Sequence, residues 1–333
     1  MLKPILVSAV VLSAVSAGLW FANESSAPAS PMTGKPLLER LPTEELSRIR
    51  IEGQDRMELI RSGGQWLLAS EQFPVDVNSL SETLLKLTEL KVGDRVTDNP
   101  ERLAMFHLEA PPESNWEEGR HATRLVLLNQ GGEPLLELLL GKNRENADGQ
   151  YFRPANSNSV YLLPEKLPIN SDPQEWLEKK LLDLPQNAFR RLTWTSATEE
   201  PIELTRDAAG EWTWSGAEDV KLNATTVRNA VGALAELEFA ALLPQAEGPS
   251  EAFDNQTTVQ AILEDGRSLE LRLSGIPRDG GDHAFQVSFS ATSDNATLRQ
   301  AFESLGQQTQ GRTFTLRSWD ANDLLISGKD LQE

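Results

Sequence analysis

One phrase is written twice in this chain. "ELIRSGGQWLLA" at residues 58–69 is answered by "ELTRDAAGEWTW" at residues 203–214, and the agreement runs on through Val75/Val220, Asn78/Asn223, Leu87/Leu234, Glu89/Glu236, Leu90/Leu237 and Phe106/Phe253. The offset between partners stays between 145 and 147 residues. Solenoid repeats recur every ~20 to 50 residues, so a period this long calls for two domains with a core each, not two rungs of a ladder. The echo therefore predicts tandem copies of one unit over residues 43–185 and 186–333. Its signature residues are Arg61, Trp66 and Asn78 in the first copy and Arg206, Trp212 and Asn223 in the second.

Within each copy the local pattern names the elements. "SRIRIEG" alternates and stops at Gly53, and "RMELIRSGGQWLLA" places two short strands around Ser62-Gly63-Gly64, a hairpin signal matched by "RRLTWTS" and "IELTRDAAGEWTW". Asp76 or Asn78 can then cap a helix whose Leu80, Leu84, Leu87 and Leu90 fall on one face, as Val227, Val231, Leu234 and Leu237 do later. Strands return in "TRLVLLN", "PLLELLLG", "QYFRPA" and "SVYLLP", and again in "TVQAILEDGRSLELRLSG" and "HAFQVSFSA". An amphipathic helix is expected to close each copy, "DPQEWLEKKLLDL" in the first and "ATLRQAFESLG", ending at Gly306, in the second. The predicted class is α+β, a hairpin-helix-antiparallel sheet-helix unit used twice, with Trp66 and Trp212 buried under their hairpins and Arg61 and Arg206 on the solvated strand face. The competing reading makes the two Arg/Trp pairs equivalent ligand sites that use cation and stacking contacts.

The hairpin with its Arg and Trp, together with "AMFHLEAPP", "LLLGKN", "QYFRPANSNSVYLLP" and "WLEKKLLDL", resembles the bacterial family called domain of unknown function 4340, over roughly residues 43 to 240. The resemblance implies a membrane-anchored exported protein, often encoded beside an ABC-type transport system of the gliding-motility auxiliary kind, with no assigned activity. The chain departs from the pattern at His107, where the family usually shows Gly before Leu108.

The first residues fit an exported protein. "MLKPILVSAVVLSAVSAGLWFA" has one charge, Lys3, and then an uncharged run from Pro4 to Ala22, long enough at ~1.5 Å per residue to cross a ~30 Å hydrocarbon core. Residues 1–22 are read as a retained transmembrane anchor with interfacial Trp20 and Phe21 and a cytoplasmic N-terminus, so that the domains face the periplasm or cell exterior. A signal peptide cleaved after Val15-Ser16-Ala17 is the competing reading. Residues 23–42, rich in Ser, Pro and Ala, are expected to be a linker.

Composition narrows the chemistry. Fifty acidic residues stand against 31 basic ones, a net charge of -19 that repels phosphate backbones and argues against nucleic acid as partner. With no cysteine there are no disulfides, thiolate metal sites, cysteine nucleophile or lipidated N-terminal Cys. His107, His121 and His283 share no ligand spacing and read as exposed or loop histidines, so no metal ligand is assigned. "GKNRENADG" at 141–149 lacks the alternating oxygens of a calcium loop, "RDGGDH" at 278–283 lacks the Lys-Ser/Thr of a phosphate loop, and both read as turns. Neither Gly-x-Ser-x-Gly nor Ser-x-x-Lys occurs. No catalytic residue and no cofactor is assigned. The expected function is a non-enzymatic, membrane-tethered extracytoplasmic accessory protein that contacts a membrane transport complex of ABC type, its partners being transporter subunits and, through residues 1–22, the bilayer. The alternative is an exported binding module for a cell-envelope polymer or small ligand.

Overall fold

The computed structural model describes residues 32–40, 43–217, 219–244, 253, 255–278 and 280–333. The proposed anchor and most of the expected linker lie outside them. The protein is α+β, built on antiparallel sheets with few helices. Among the described residues no helix is long and apolar enough to cross a membrane. The chain gathers into two compact units: one takes the described residues up to Arg56 with Ser81–Ser171, the other takes Met57–Leu80 with Asp172–Glu333.

In the first unit, β1 (Leu46–Glu52) pairs with β6 (Thr123–Asn129), which continues through β7 (Pro134–Asn143), β8 (Gln150–Pro154) and β9 (Val160–Leu163) to the short β5 (Arg95–Thr97), every pair antiparallel. Alternation buries Leu46, Ile49 and Ile51 of β1, whereas β6 buries four consecutive residues, Leu125–Leu128, as a strand covered on both faces must. Two 3-10 turns, Pro100–Arg102 and Ala104–Phe106, bring Leu103 and Leu108 onto Ala122, Leu139 and Val160. The turn ends at His107 with φ 55°, ψ 46°, the left-handed region, which accounts for the Gly expected there by resemblance. Arg153 is buried and donates to the carbonyls of Leu108, Ala155 and Ser157 at 3.1, 3.2 and 2.9 Å, tying the turn at Leu108 to the connection from β8 to β9; burial pushes its guanidinium below the ordinary arginine value.

The second unit begins with the meander β2 (Arg56–Ser62), β3 (Gln65–Leu68) and β4 (Phe73–Pro74) and the start of helix α1 (Val77–Glu89). Its main sheet runs in the order β12 (Trp212–Trp214), β11 (Ile202–Arg206), β10 (Phe189–Ser196), β14 (Thr257–Leu263), β15 (Arg267–Pro277), β16 (His283–Ala291), β17 (Phe314–Leu316), β13 (Ala241–Leu242). Helix α2 (Ala224–Ala235) buries Val227, Ala230, Val231 and Leu234, a stripe at helical spacing; each larger side chain contributes roughly 1.5–3 kcal/mol. Four phenylalanines meet in the core: Phe239 and Phe285 lie 4.9 and 5.4 Å from Phe314, and Phe73 from the meander approaches Phe239 at 5.6 Å, edge to face.

Both expected closing helices are corrected. Asp172 caps only a 3-10 turn, Pro173–Trp176, and Leu177 is already extended. The chain then pairs instead of coiling: Val75 bridges Leu177, Lys180 bridges Glu238, and the amides of Leu181 and Leu184 donate to Leu237 and Ala235. The helical periodicity of "EWLEKKLLDL" lost to available strand partners. "ATLRQAFESLG" does form a helix, α3 (Ala296–Thr309), but it sits between β16 and β17 and does not stop at Gly306. That glycine lies mid-helix because a Cβ there would meet the Phe289 carbonyl of β16 at 3.0 Å, so it permits close helix–sheet packing where a cap was expected. A short helix α4 (Ser318–Leu324), which the sequence did not announce, follows β17.

Candidate ligand cleft

The two Arg/Trp pairs of the signature sit in matching hairpin registers, whereas Asn78 and Asn223 do not match. Arg61 faces Trp66 across the β2–β3 hairpin, and Arg206 faces Trp212 across β11–β12. Trp66 and Trp212 are half-buried near the starts of their short strands, so the expectation of tryptophans buried under the hairpins is corrected: strands of four and three residues are too short to enclose a ring this large. Arg206 is not simply a solvated strand residue. Its Nε donates to the Gly210 carbonyl and its Nη1 to the Asn187 carbonyl, both at 3.1 Å, which pins the guanidinium at the mouth of the hairpin. Asn223 caps α2 by accepting from the amides of Thr225 and Thr226 at 3.1 and 3.3 Å. Asn78 does not cap α1; Asp76 does, accepting from the Asn78 amide at 2.9 Å and the Ser79 hydroxyl at 2.6 Å. Asp76 thus does for α1 what Asn223 does for α2.

Between the second hairpin and α2 lies a cleft of about 580 Å³. Leu222, Val227 and Val231 supply apolar surface, Trp212 a flat aromatic face, and Arg206 and Arg228 two guanidiniums. Lys221 also lines it but is paired with Glu333, while Glu211 is the remaining carboxylate. The sequence reading named Arg206 and Trp212 and missed Arg228. The available signal was helical spacing: Arg228 follows the buried Val227 and so stands at the edge of the apolar stripe.

A more polar cleft of about 420 Å³ contains Trp319, which is 60% exposed, with the Arg317 guanidinium 5.3 Å from its ring centroid. There burial raises the Asp320 carboxyl above its ordinary value; Arg317 opposes the rise, and Asp323 and Glu238 add to it.

The other sequence candidates are dispersed. His107 sits in the left-handed turn with its pKa lowered by burial and by Lys142, against which Glu118 acts. His121 packs on Trp116 at 5.5 Å and accepts through Nδ1 from the Glu117 amide at 3.1 Å. His283, expected to be exposed or in a loop, is buried at the start of β16; its Nδ1–H donates to the Ser274 carbonyl at 2.8 Å, which satisfies that ring nitrogen. Among the described residues no group of three or more His, Asp or Glu side chains gathers as a metal site. Residues 144–149 turn between β7 and β8, and Arg278 to Asp282 closes the turn between β15 and β16 through an amide–carbonyl bond of 2.8 Å.

No curated protein and no solved structure matches the chain. The model of one family, described as domain of unknown function (DUF4340), matches residues 66–256, more than half of the chain and spanning both hairpin tryptophans. The chain belongs to the DUF4340 family.

Proposed function

We infer that the protein is a non-enzymatic, membrane-tethered accessory protein, made of two tandem copies of one α+β unit, that works outside the cytoplasmic membrane by contact with a partner in the same membrane. Transporter subunits are the partner class, by the family resemblance. The tandem reading is supported by strand order: β1-β6-β7-β8-β9-β5 in one unit and β10-β14-β15-β16-β17-β13 in the other follow the same path. Bridges recur as well, Pro36 with Lys91 and Lys180 with Glu238, Val75 with Leu177 and Leu222 with Gln332.

The observation that carries the functional reading is where the fold begins. Gly34 donates to the Val92 carbonyl at 2.7 Å, and Val92 donates to the Lys35 carbonyl at 2.8 Å, so the first unit takes hold well inside the segment expected to be linker. If residues 1–22 span the bilayer, only residues 23–33 remain as a leash, at most ~40 Å when fully extended. A partner in the same membrane is then at high effective concentration, and a weak interface suffices.

The test is crosslinking in intact cells followed by mass spectrometry, comparing the anchored protein with a version carrying a cleavable signal in place of residues 1–22. Transporter subunits recovered only with the anchored form are expected, with Met1–Ala22 retained and the protein in the membrane fraction. A soluble mature protein starting at Gly18, or recovery of glycan or small ligand without a membrane protein, overturns the reading.

A further inference from the structure

We propose that the cleft between β11–β12 and α2 binds a small ligand carrying a single negative charge, as carboxylate or phosphodiester, on a flat apolar body. This goes beyond the tethering role and stands without it.

The charge pattern comes first. Many cations of this acidic chain pair with carboxylates: Arg120 with Glu109, Arg124 with Glu137, Arg267 with Asp265, Arg317 with Glu238; others, such as the buried Arg153, bond only carbonyls. Arg206 and Arg228 differ from the paired cations. They line the same cleft, and among the described residues neither forms an ion pair. Two carbonyls fix the Arg206 head, so its remaining N–H groups are held in place before any ligand arrives, the condition under which a guanidinium fork binds an oxyanion at low entropic cost. Arg228 has one long contact, 3.5 Å to the Thr225 hydroxyl, and stands between this cleft and the polar one that holds Glu236, Asp320 and Asp323, so it can turn toward a ligand on the hairpin side. With Lys221 occupied by Glu333, and with Glu211 also lining the cleft, the local surplus suits one negative charge rather than two.

The remaining surface sets the body of the ligand. Trp212, half-buried and lining the cleft, supplies an aromatic ring for stacking, and Leu222, Val227 and Val231 give an apolar wall. The volume of about 580 Å³ falls within the ~300–1,000 Å³ of small-molecule sites.

The probe is 1-naphthoate, titrated calorimetrically into the full-length protein, with neutral 1-naphthalenemethanol as control. One saturable site is expected for the naphthoate, at least tenfold weaker binding for the alcohol, and a loss of about tenfold in naphthoate affinity in Arg228→Gln. That variant changes an exposed helix residue and should fold normally; Trp212→Leu should weaken both compounds. Absence of saturable naphthoate binding, equal affinity for the alcohol, or an Arg228→Gln protein that binds as well as the parent would each overturn the proposal. Vesicles of phosphatidylglycerol distinguish the source: vesicle binding that naphthoate displaces and Arg228→Gln weakens supports a lipid head group, whereas naphthoate binding without vesicle binding supports a free small molecule.

Discussion

Arg312 lies over the ring of Phe73, 5.3 Å from its centroid, and donates through Nη2 to the Glu71 carbonyl at 2.7 Å. Phe73 lies in β4, just after the first hairpin in sequence, yet it fills the second unit's aromatic core beside Phe239 and Phe314 and is 1% exposed. Phe73→Ala should therefore cost about 3–5 kcal/mol, the usual figure for a buried phenylalanine. Chemical denaturation followed by tryptophan fluorescence checks it. A fragment of residues 186–333 alone should share the defect, giving poorly dispersed amide resonances, because Phe239 and Phe314 lose the ring that covers them.

A tight turn makes opposite predictions for two neighbouring sites. A Cβ on Gly141 would collide with the Phe106 carbonyl and lie 2.9 Å from Leu108, with backbone as the obstacle, so Gly141→Ala should destabilise by roughly 2–3 kcal/mol or more. His107 holds the left-handed conformation at the end of that turn. His107→Gly removes a backbone cost of ~1–2 kcal/mol and adds back part of it as unfolded-chain entropy, leaving a net gain of up to ~1 kcal/mol. Paired melting curves of the two variants against the parent decide both.

Much of this fold could be read from the sequence, and the exceptions share a cause. Strands with alternating or continuous apolar runs, such as "TRLVLLN" and "HAFQVSFSA", and helices with a leucine or valine stripe were plain because each signal is local. "WLEKKLLDL" misled because its helical spacing is also local, whereas Glu238 and Leu237, which pair with it, lie more than fifty residues on. "KPLLERLP" at 35–42 was absorbed into a Pro-rich linker, although "KLLDLP" at 180–185 nearly repeats it and pairs in the same way. Of the cleft, Arg206 and Trp212 are visible through their repetition; helical spacing puts Arg228 at the edge of the α2 stripe, but only folding brings that edge beside the hairpin.

The acidic cleft predicts a pH-dependent stability. Burial raises the Asp320 carboxyl above its ordinary value of 3.8, with Asp323 and Glu238 assisting against Arg317. A raised carboxylate pKa means that the folded protein holds its proton more tightly than the unfolded chain does. The contribution to stability is present below pH 3.8 and is lost as pH rises through the folded value. Asp320→Asn should therefore raise Tm near pH 7 relative to the parent, with the gain shrinking toward pH 4. Thermal melts at both pH values test this, and a gain that grows on acidification would reverse the sign.

The two helix starts separate sequence pairing from structural pairing. By sequence, Asn78 aligns with Asn223; the residue that caps α1 as Asn223 caps α2 is Asp76, which accepts the Asn78 amide where Asn223 accepts those of Thr225 and Thr226. A side-chain cap satisfies amides that the first helical turn leaves unbonded, and its loss costs about 1 kcal/mol. Asn78, one residue inside the helix and exposed, offers no cap, so alanine there trades a poor helix former for the best one. Asp76→Ala and Asn223→Ala should each destabilise by ~0.5–2 kcal/mol, while Asn78→Ala should be neutral or stabilising by a few tenths. Denaturation midpoints of the three variants, measured side by side at constant m-value, give the answer; an Asn78→Ala loss matching that of Asn223→Ala would mean that the offset of 145 residues, and not 147, sets the equivalence of the two helices.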